Sequence, residues 1–288
     1  MCAVRRRDGT VLPSGGTQAR ALHYLYETNA GRKLLPLLTH PAVSALGGAV
    51  LGHPLSTVAI PVFIRSCDIR TEEYEPCVHR SFNSFFTRKI KPSARPVDPD
   101  PDALISPCDA KLTVYPITAD SVFAIKQSAY RVADLVGCRK LAARFTGGQC
   151  LIFRLTVDDY HRYCYPDDGT KGENRLLGGE LHTVNPIALG QYNIYKRNCR
   201  SVTLLHTAHF GDVAQIEVGA MLVGKITNHH GRAQIRRGEE KGMFEFGGST
   251  IVLLLEAGRA ILDEDILQNS AAGDETVVRC GMRIGTRS

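Results

Sequence analysis

Residues 239–256, EEKGMFEFGGSTIVLLLE, place a serine directly after two glycines at the head of an apolar run. Gly247 and Gly248 carry no Cβ, so the backbone is free to twist and the Gly248 carbonyl lies open to the Ser249 hydroxyl. A serine so placed can attack its own chain. The same letters also spell an ordinary turn leading into a buried strand over residues 250–255. A base, and a group to orient it, would separate the two readings.

The densest cluster of ionisable groups is VDDYHRYCYPDDG, residues 157–169, directly after a strand-like run. His161 is the candidate base there, since imidazole titrates near neutral pH and a partner on its second nitrogen fixes the tautomer. Read alone, the stretch is equally a surface turn rich in Asp and Gly. His161 and Cys164 have the spacing of half a metal site, but no second pair stands near them and no metal is expected. LISPCDAKLTVY, residues 104–115, sets Asp109 between a turn and an alternating strand. ELHTVNPIAL, residues 180–189, adds His182 and Asn185, able to donate hydrogen bonds to a carboxylate or phosphate, or to serve as a structural histidine and an Asx turn before Pro186.

The elements that must position these groups change character near residue 100. Residues 18–68 look helical, with apolar positions at Leu22, Leu25, Tyr26, Leu34, Leu35, Leu37 and Leu38. YEPCVHRSFNSFFTRKIKPSARPVDPDPD then gives a Ser-capped aromatic helix, a basic exit and a proline-rich loop. Beyond it QCLIFRLTV, VAQIEVGAMLVGKI and STIVLLLE are β-branched or alternating runs between glycine-bearing turns. The expectation is an α+β chain, with a helical N-terminal part over residues 1–100 and a β-rich catalytic domain over residues 101–288.

With 288 residues and 43% hydrophobic composition the chain can bury a large core, which excludes global disorder. A net charge of +6 suits an anionic surface, but no nucleic-acid motif accompanies it and no nucleic-acid partner is expected. Nine cysteines, odd in number and never spaced as CxxC, fit free thiols in a reducing compartment. The basic N-terminus has no apolar stretch behind it to make a secretory signal. Residues 42–64 are apolar but broken by glycines, a histidine and prolines, so membrane contact would be peripheral.

The order FNSFFTRKIKPSARPVD, SPCDAKL, DDYHRY, VNPIAL, VGAMLVGKI and RGEEKGMFEFGGST resembles the phosphatidylserine decarboxylase family from about residue 80 to the C-terminus. The helical N-terminal part is similar to that of the family's bacterial members. The resemblance implies a proenzyme that cuts itself between Gly248 and Ser249, leaving a heterodimer of its own large and small chains. Ser249 would become a covalent pyruvoyl group, which takes phosphatidylserine as a Schiff base and yields phosphatidylethanolamine. It carries the acid onto Asp109, the nucleophile onto Ser249 and the Tyr-His pair onto Tyr160 and His161. Family members often have a second histidine at the position of Cys164, assigned to the charge relay. Here either His161 takes that role, oriented by Asp109, or Cys164 does. Localisation is expected at the cytoplasmic side of the cell membrane. The rival readings are a pyruvoyl decarboxylase of a soluble amino acid and a silent membrane-surface binding protein. A serine or cysteine hydrolase is disfavoured by the lack of a GxSxG elbow.

Overall fold

The computed structural model describes residues 3–12, 24–26, 28–125, 128–181, 198–220, 225–247 and 249–288. Helices cluster before residue 100 and strands dominate after it, which is the expected α+β arrangement. At the centre is an 11-stranded sheet. Its middle runs in the order Arg200–Thr207, Asp212–Gly219, Ser249–Leu255, Gln149–Leu155, Ala110–Pro116 and Glu275–Val278, each antiparallel to the next. The Ser249 strand is almost uniformly apolar because every one of its residues is buried, as befits a strand covered on both faces. In register, Ser249 lies opposite Gly219 on one side and Leu155 on the other.

The N-terminal part differs from the helical expectation at its start. Val4–Arg5 adds in parallel to Glu275–Val278, and Arg7 reaches Asp263 and Asp265, each at 2.7 Å. A two-residue strand is too short to carry a hydrophobic period, so it was invisible in the sequence. The helices Asn29–Leu38, Pro41–Gly52 and Ile60–Ser66 follow. The expected Ser-capped aromatic helix is Phe82–Phe86. Ser81 Oγ accepts from the Ser84 amide and Ser84 Oγ accepts from the Ser81 amide, both at 3.1 Å.

A smaller sheet joins Ile226–Asn228, Glu240–Phe244 and Arg162–Cys164. It is tied to the central sheet by Lys241, whose ammonium donates to Glu217 at 2.7 Å, both side chains being fully buried. Asn228 completes the cluster, accepting from Lys241 at 2.8 Å and donating to Glu217 at 3.2 Å. Burial pushes the Lys241 ammonium down, and Glu217 opposes that shift. Removing one partner leaves the other as an uncompensated buried charge. Lys241→Met should therefore lower the unfolding free energy by about 3–5 kcal/mol. In the double variant Lys241→Met with Glu217→Leu most of that loss should return, measured by urea titration. A double variant no more stable than the single one would show that packing, not charge, dominates there.

Candidate active site

Two arms carry the expected side chains, and the first meets the segment that precedes Ser249. The first is aromatic. Phe82–Phe86 clamps residues 245–246: Asn83 accepts from the Phe246 amide at 3.2 Å and donates to Glu245 at 3.2 Å, and the Phe86 ring lies 5.0 Å from Phe246. The opposite side of the contact is His161, whose ring centroid is 4.2 Å from that of Phe86. His161 is also tied by its backbone, its carbonyl accepting from the Phe244 amide at 2.9 Å. Phe86 thus bridges His161 and the residues three positions ahead of the serine.

The protonation state of His161 follows from its surroundings. Its Nδ1 stands 2.9 Å from the Asp159 carbonyl, an acceptor only, so Nδ1 carries the hydrogen and donates it. Nε2 is left with a bare lone pair, buried and, among the described residues, with no hydrogen-bond partner. Burial holds the imidazole down to about 3, the Asp159 carbonyl opposing the shift, so the ring is neutral under physiological conditions. The loop bearing Asp159 is itself anchored. Lys111 donates to its carboxylate at 2.7 and 2.8 Å and to Thr156 Oγ1 at 2.6 Å, and the Thr156 amide donates to it at 2.6 Å.

Ser249 Oγ and Thr250 Oγ1 are likewise buried without a partner among the described residues. A buried polar atom left unpaired costs about 1–3 kcal/mol, and such groups collect where chemistry needs them uncommitted. Gly247, two residues earlier, has φ +136°, a conformation L side chains rarely adopt. Gly248, the other half of the expected cleavage pair, lies outside the described residues, as do His182 and Asn185.

The second arm holds Asp109 and Cys164. Arg95 grips the Asp109 carboxylate through Nε at 2.9 Å and Nη2 at 2.6 Å, and the Cys280 amide donates to it at 2.8 Å. Arg95 also reaches Glu73 at 2.9 Å. The expectation that Asp109 orients His161 is not met: the carbonyl of Asp159 does so, and the contacts of Asp109 go to Arg95 and Cys280. Cys164 belongs to this arm. Its amide donates to the Pro107 carbonyl at 2.8 Å, and its sulfur lies 3.6 Å from that of Cys280. Tyr160 stands between the arms in sequence; its hydroxyl accepts from the Ile90 amide at 3.3 Å, and burial pushes its phenol up.

Sequence reasoning missed Arg95, Lys111, Phe86 and Cys280. The first three stand inside the quoted motifs KPSARPVD, SPCDAKL and FNSFF, where an arginine and a lysine flanking the acidic turn were the available signal. Nothing local marks Cys280.

Residues 82–286 match the family model described as phosphatidylserine decarboxylase. The chain is 45% identical over 265 residues to phosphatidylserine decarboxylase proenzyme 2 of Clostridium acetobutylicum, covering 92% of this chain and 91% of the relative. It is 39% identical over 272 residues to a phosphatidylserine decarboxylase proenzyme of Ruminiclostridium cellulolyticum and 36% identical over 272 residues to one of Chlamydia caviae. Coverage in both is 92% of this chain and 91% of the relative.

The buried neutral histidine has a measurable consequence. Its folded pKa lies below the unfolded value of 6.5, so the native state binds fewer protons in between. Its contribution to stability is complete above pH 6.5 and is lost as pH falls towards about 3. The stability difference between wild type and His161→Gln should shrink by up to about 1.4 kcal/mol per pH unit below 6.5. Urea titrations at stepped pH measure it; parallel stability curves would mean that His161 is not held neutral.

Proposed function

This chain belongs to the phosphatidylserine decarboxylase family and decarboxylates phosphatidylserine, and from that premise we propose that it cuts itself between Gly248 and Ser249 and draws its catalytic group from Ser249. One observation carries this reading: among the described residues Ser249 Oγ and His161 Nε2 are both buried without a partner, and Phe86 packs on His161 and on Phe246, three residues before the serine. A hydroxyl without an acceptor and an imidazole lone pair without a donor are what proton removal from the serine requires.

In this reading Ser249 Oγ gives its proton to His161 Nε2 and attacks the Gly248 carbonyl. The amide C–N bond breaks as the ester forms, and the nitrogen of Ser249 becomes an amine. Loss of the Ser249 α-proton then expels Gly248 as a carboxylate, separating residues 1–248 from residues 249–288. The remaining enamine exchanges its nitrogen for water oxygen and releases ammonia. The residues fit the group: Ser249 is buried at the head of a strand paired on both sides, so the new chain end stays in place. When formed, the pyruvoyl group supplies the electron sink for loss of carbon dioxide. His161 Nε2, neutral until loaded, is the group placed to return a proton to the substrate carbon. Asp109, gripped by Arg95, fixes the loop against which Cys164 lies. His182 and Asn185 remain candidates for the substrate's carboxylate or phosphate.

The same proposal makes residues 1–100 the membrane-associating part. Among the described residues no single helix is long and apolar enough to cross a membrane. Pro41–Gly52, Pro54–Ala59 and Ile60–Ser66 nevertheless expose Leu46, Val50, Leu55, Val58 and Val62, with Leu55 and Val58 at 75% and 78%. Arg65, Arg70 and Arg80 follow, also exposed. Apolar insertion beside basic residues suits a peripheral contact with anionic lipid at the cytoplasmic side of the cell membrane. This apolar surface favours a lipid over a soluble amino acid as substrate.

Intact-mass measurement should find two chains, residues 1–248 and 249–288, the smaller one starting in pyruvoyl. Ser249→Ala should remain one full-length chain; a normal split in that variant would sink the assignment. His161→Ala and Asp109→Ala should stay largely uncut, and Cys164→Ser should mature at a near-normal rate. A Cys164→Ser precursor that stalls, and that Cys164→His restores, would give the base role to the thiol. Leu55→Glu with Val58→Glu should weaken flotation with anionic liposomes at least about tenfold, and salt should weaken the wild type. Unchanged flotation would move the contact elsewhere.

A further inference from the structure

Cys164 and Cys280 are 116 residues apart in sequence, yet their sulfurs stand 3.6 Å apart. Cys164 is buried at the end of Arg162–Cys164. Cys280 follows Glu275–Val278 in the turn before Arg283–Arg287 and forms part of the wall of a cleft of about 630 Å³ with Arg95, Pro96, Val97 and Arg279. Cys280 is thus partly exposed at the cleft wall, and Cys164 is buried beside it. The amide of Cys280 also holds Asp109, at 2.8 Å. We propose that Cys164 and Cys280 form a reversible disulfide when the protein meets a low-molecular-weight disulfide, and that this bond restrains the site. The effect on maturation rests on the self-cleavage reading above; the bond itself does not.

The exchange balances without any further reactant. The Cys280 thiolate attacks one sulfur of the external disulfide and expels a thiolate. The Cys164 sulfur, deprotonated, then attacks Cys280 and expels the second. The two cysteine sulfurs lose two electrons, the external disulfide gains them, and the two protons end on the released thiols. A bond of about 2.0 Å needs the sulfurs to close by roughly 1.6 Å, a shift within reach of a turn residue. The neighbouring Cys164 sulfur and burial push the Cys280 thiol up, so little of it is thiolate and the exchange is slow. Once made, the bond removes the Cys164 thiol and pulls on the residue whose amide holds Asp109.

Cleavage between 248 and 249 would leave Cys164 in the large chain and Cys280 in the small one, so the disulfide would join them covalently. Purified full-length protein, reduced and then treated with oxidised glutathione, should run on a non-reducing gel as one band that separates into two on reduction. Cys164→Ser and Cys280→Ser should give two bands in both conditions. Peptide mapping should find residues 164 and 280 linked, with a mass loss of about 2 Da for the pair. Two bands from oxidised wild type, or a link from Cys280 to Cys108, would overturn the inference. A protein that stays one band even when reduced, with Ser249 intact, would sink the self-cleavage reading. The mass loss and mapped link would then still decide the thiol pair.

Discussion

Everything in the site depends on the Ser249 strand being hydrogen-bonded along its length on both sides, to Gln149–Leu155 and to Asp212–Gly219. Its residues are buried throughout, so the sheet binds it through apolar burial and two ladders of backbone hydrogen bonds. A covalent break at its first residue removes one peptide link and none of those contacts. That is the condition a self-cutting chain must satisfy: the reacting bond has to sit at the edge of a held element. The glycine with positive φ belongs outside the strand and the nucleophile inside it, and Gly247 and Ser249 are placed in that way.

The polar groups around the strand fall into two regimes. Lys241 with Glu217, Lys111 with Asp159 and Arg95 with Asp109 are charges taken out of water and matched by an opposite charge within 3 Å. They cost desolvation and fix the loops in one register. His161, Ser249 and Thr250 are instead neutral and unmatched, save for the single bond from Nδ1 to the Asp159 carbonyl. A carbonyl in that position fixes the tautomer as a carboxylate would, but adds no negative charge to raise the imidazole. Rigidity is supplied by the ion pairs, and reactivity is left to the groups that have none.

This division explains what was legible in the sequence. Ser249 was visible because glycines and an apolar run flank it, and His161 because a titratable cluster follows a strand. Those are local signals. The orienting role of the Asp159 carbonyl was hidden because any residue has a carbonyl, and only the loop geometry aims this one. Glu217 and Lys241 gave no signal of their own, since burial of a charge depends on a partner 24 residues away. Cys280 lay beyond any local pattern, and so did the Val4–Arg5 strand, whose partner is near the other end of the chain. The helical and β-rich regions, by contrast, each repeat their period often enough to be read directly.

The ion-pair chain also accounts for a thiol at position 164. Arg70, Glu73, Arg95 and Asp109 alternate in sign and are joined at 3.4, 2.9 and 2.6 Å, so their charges close on themselves. Asp109 has no charge left over that calls for a cation beside it. An imidazolium at position 164 would bring a positive charge towards a carboxylate already committed to Arg95. A thiol beside a second thiol brings no cation there, and Asp109 keeps its two donors. The thiol at position 164 and the grip of Arg95 on Asp109 are therefore compatible in charge. In the proposed self-cleavage, with Asp109 so committed, the proton from Ser249 would go to His161, whose Nε2 has no partner among the described residues.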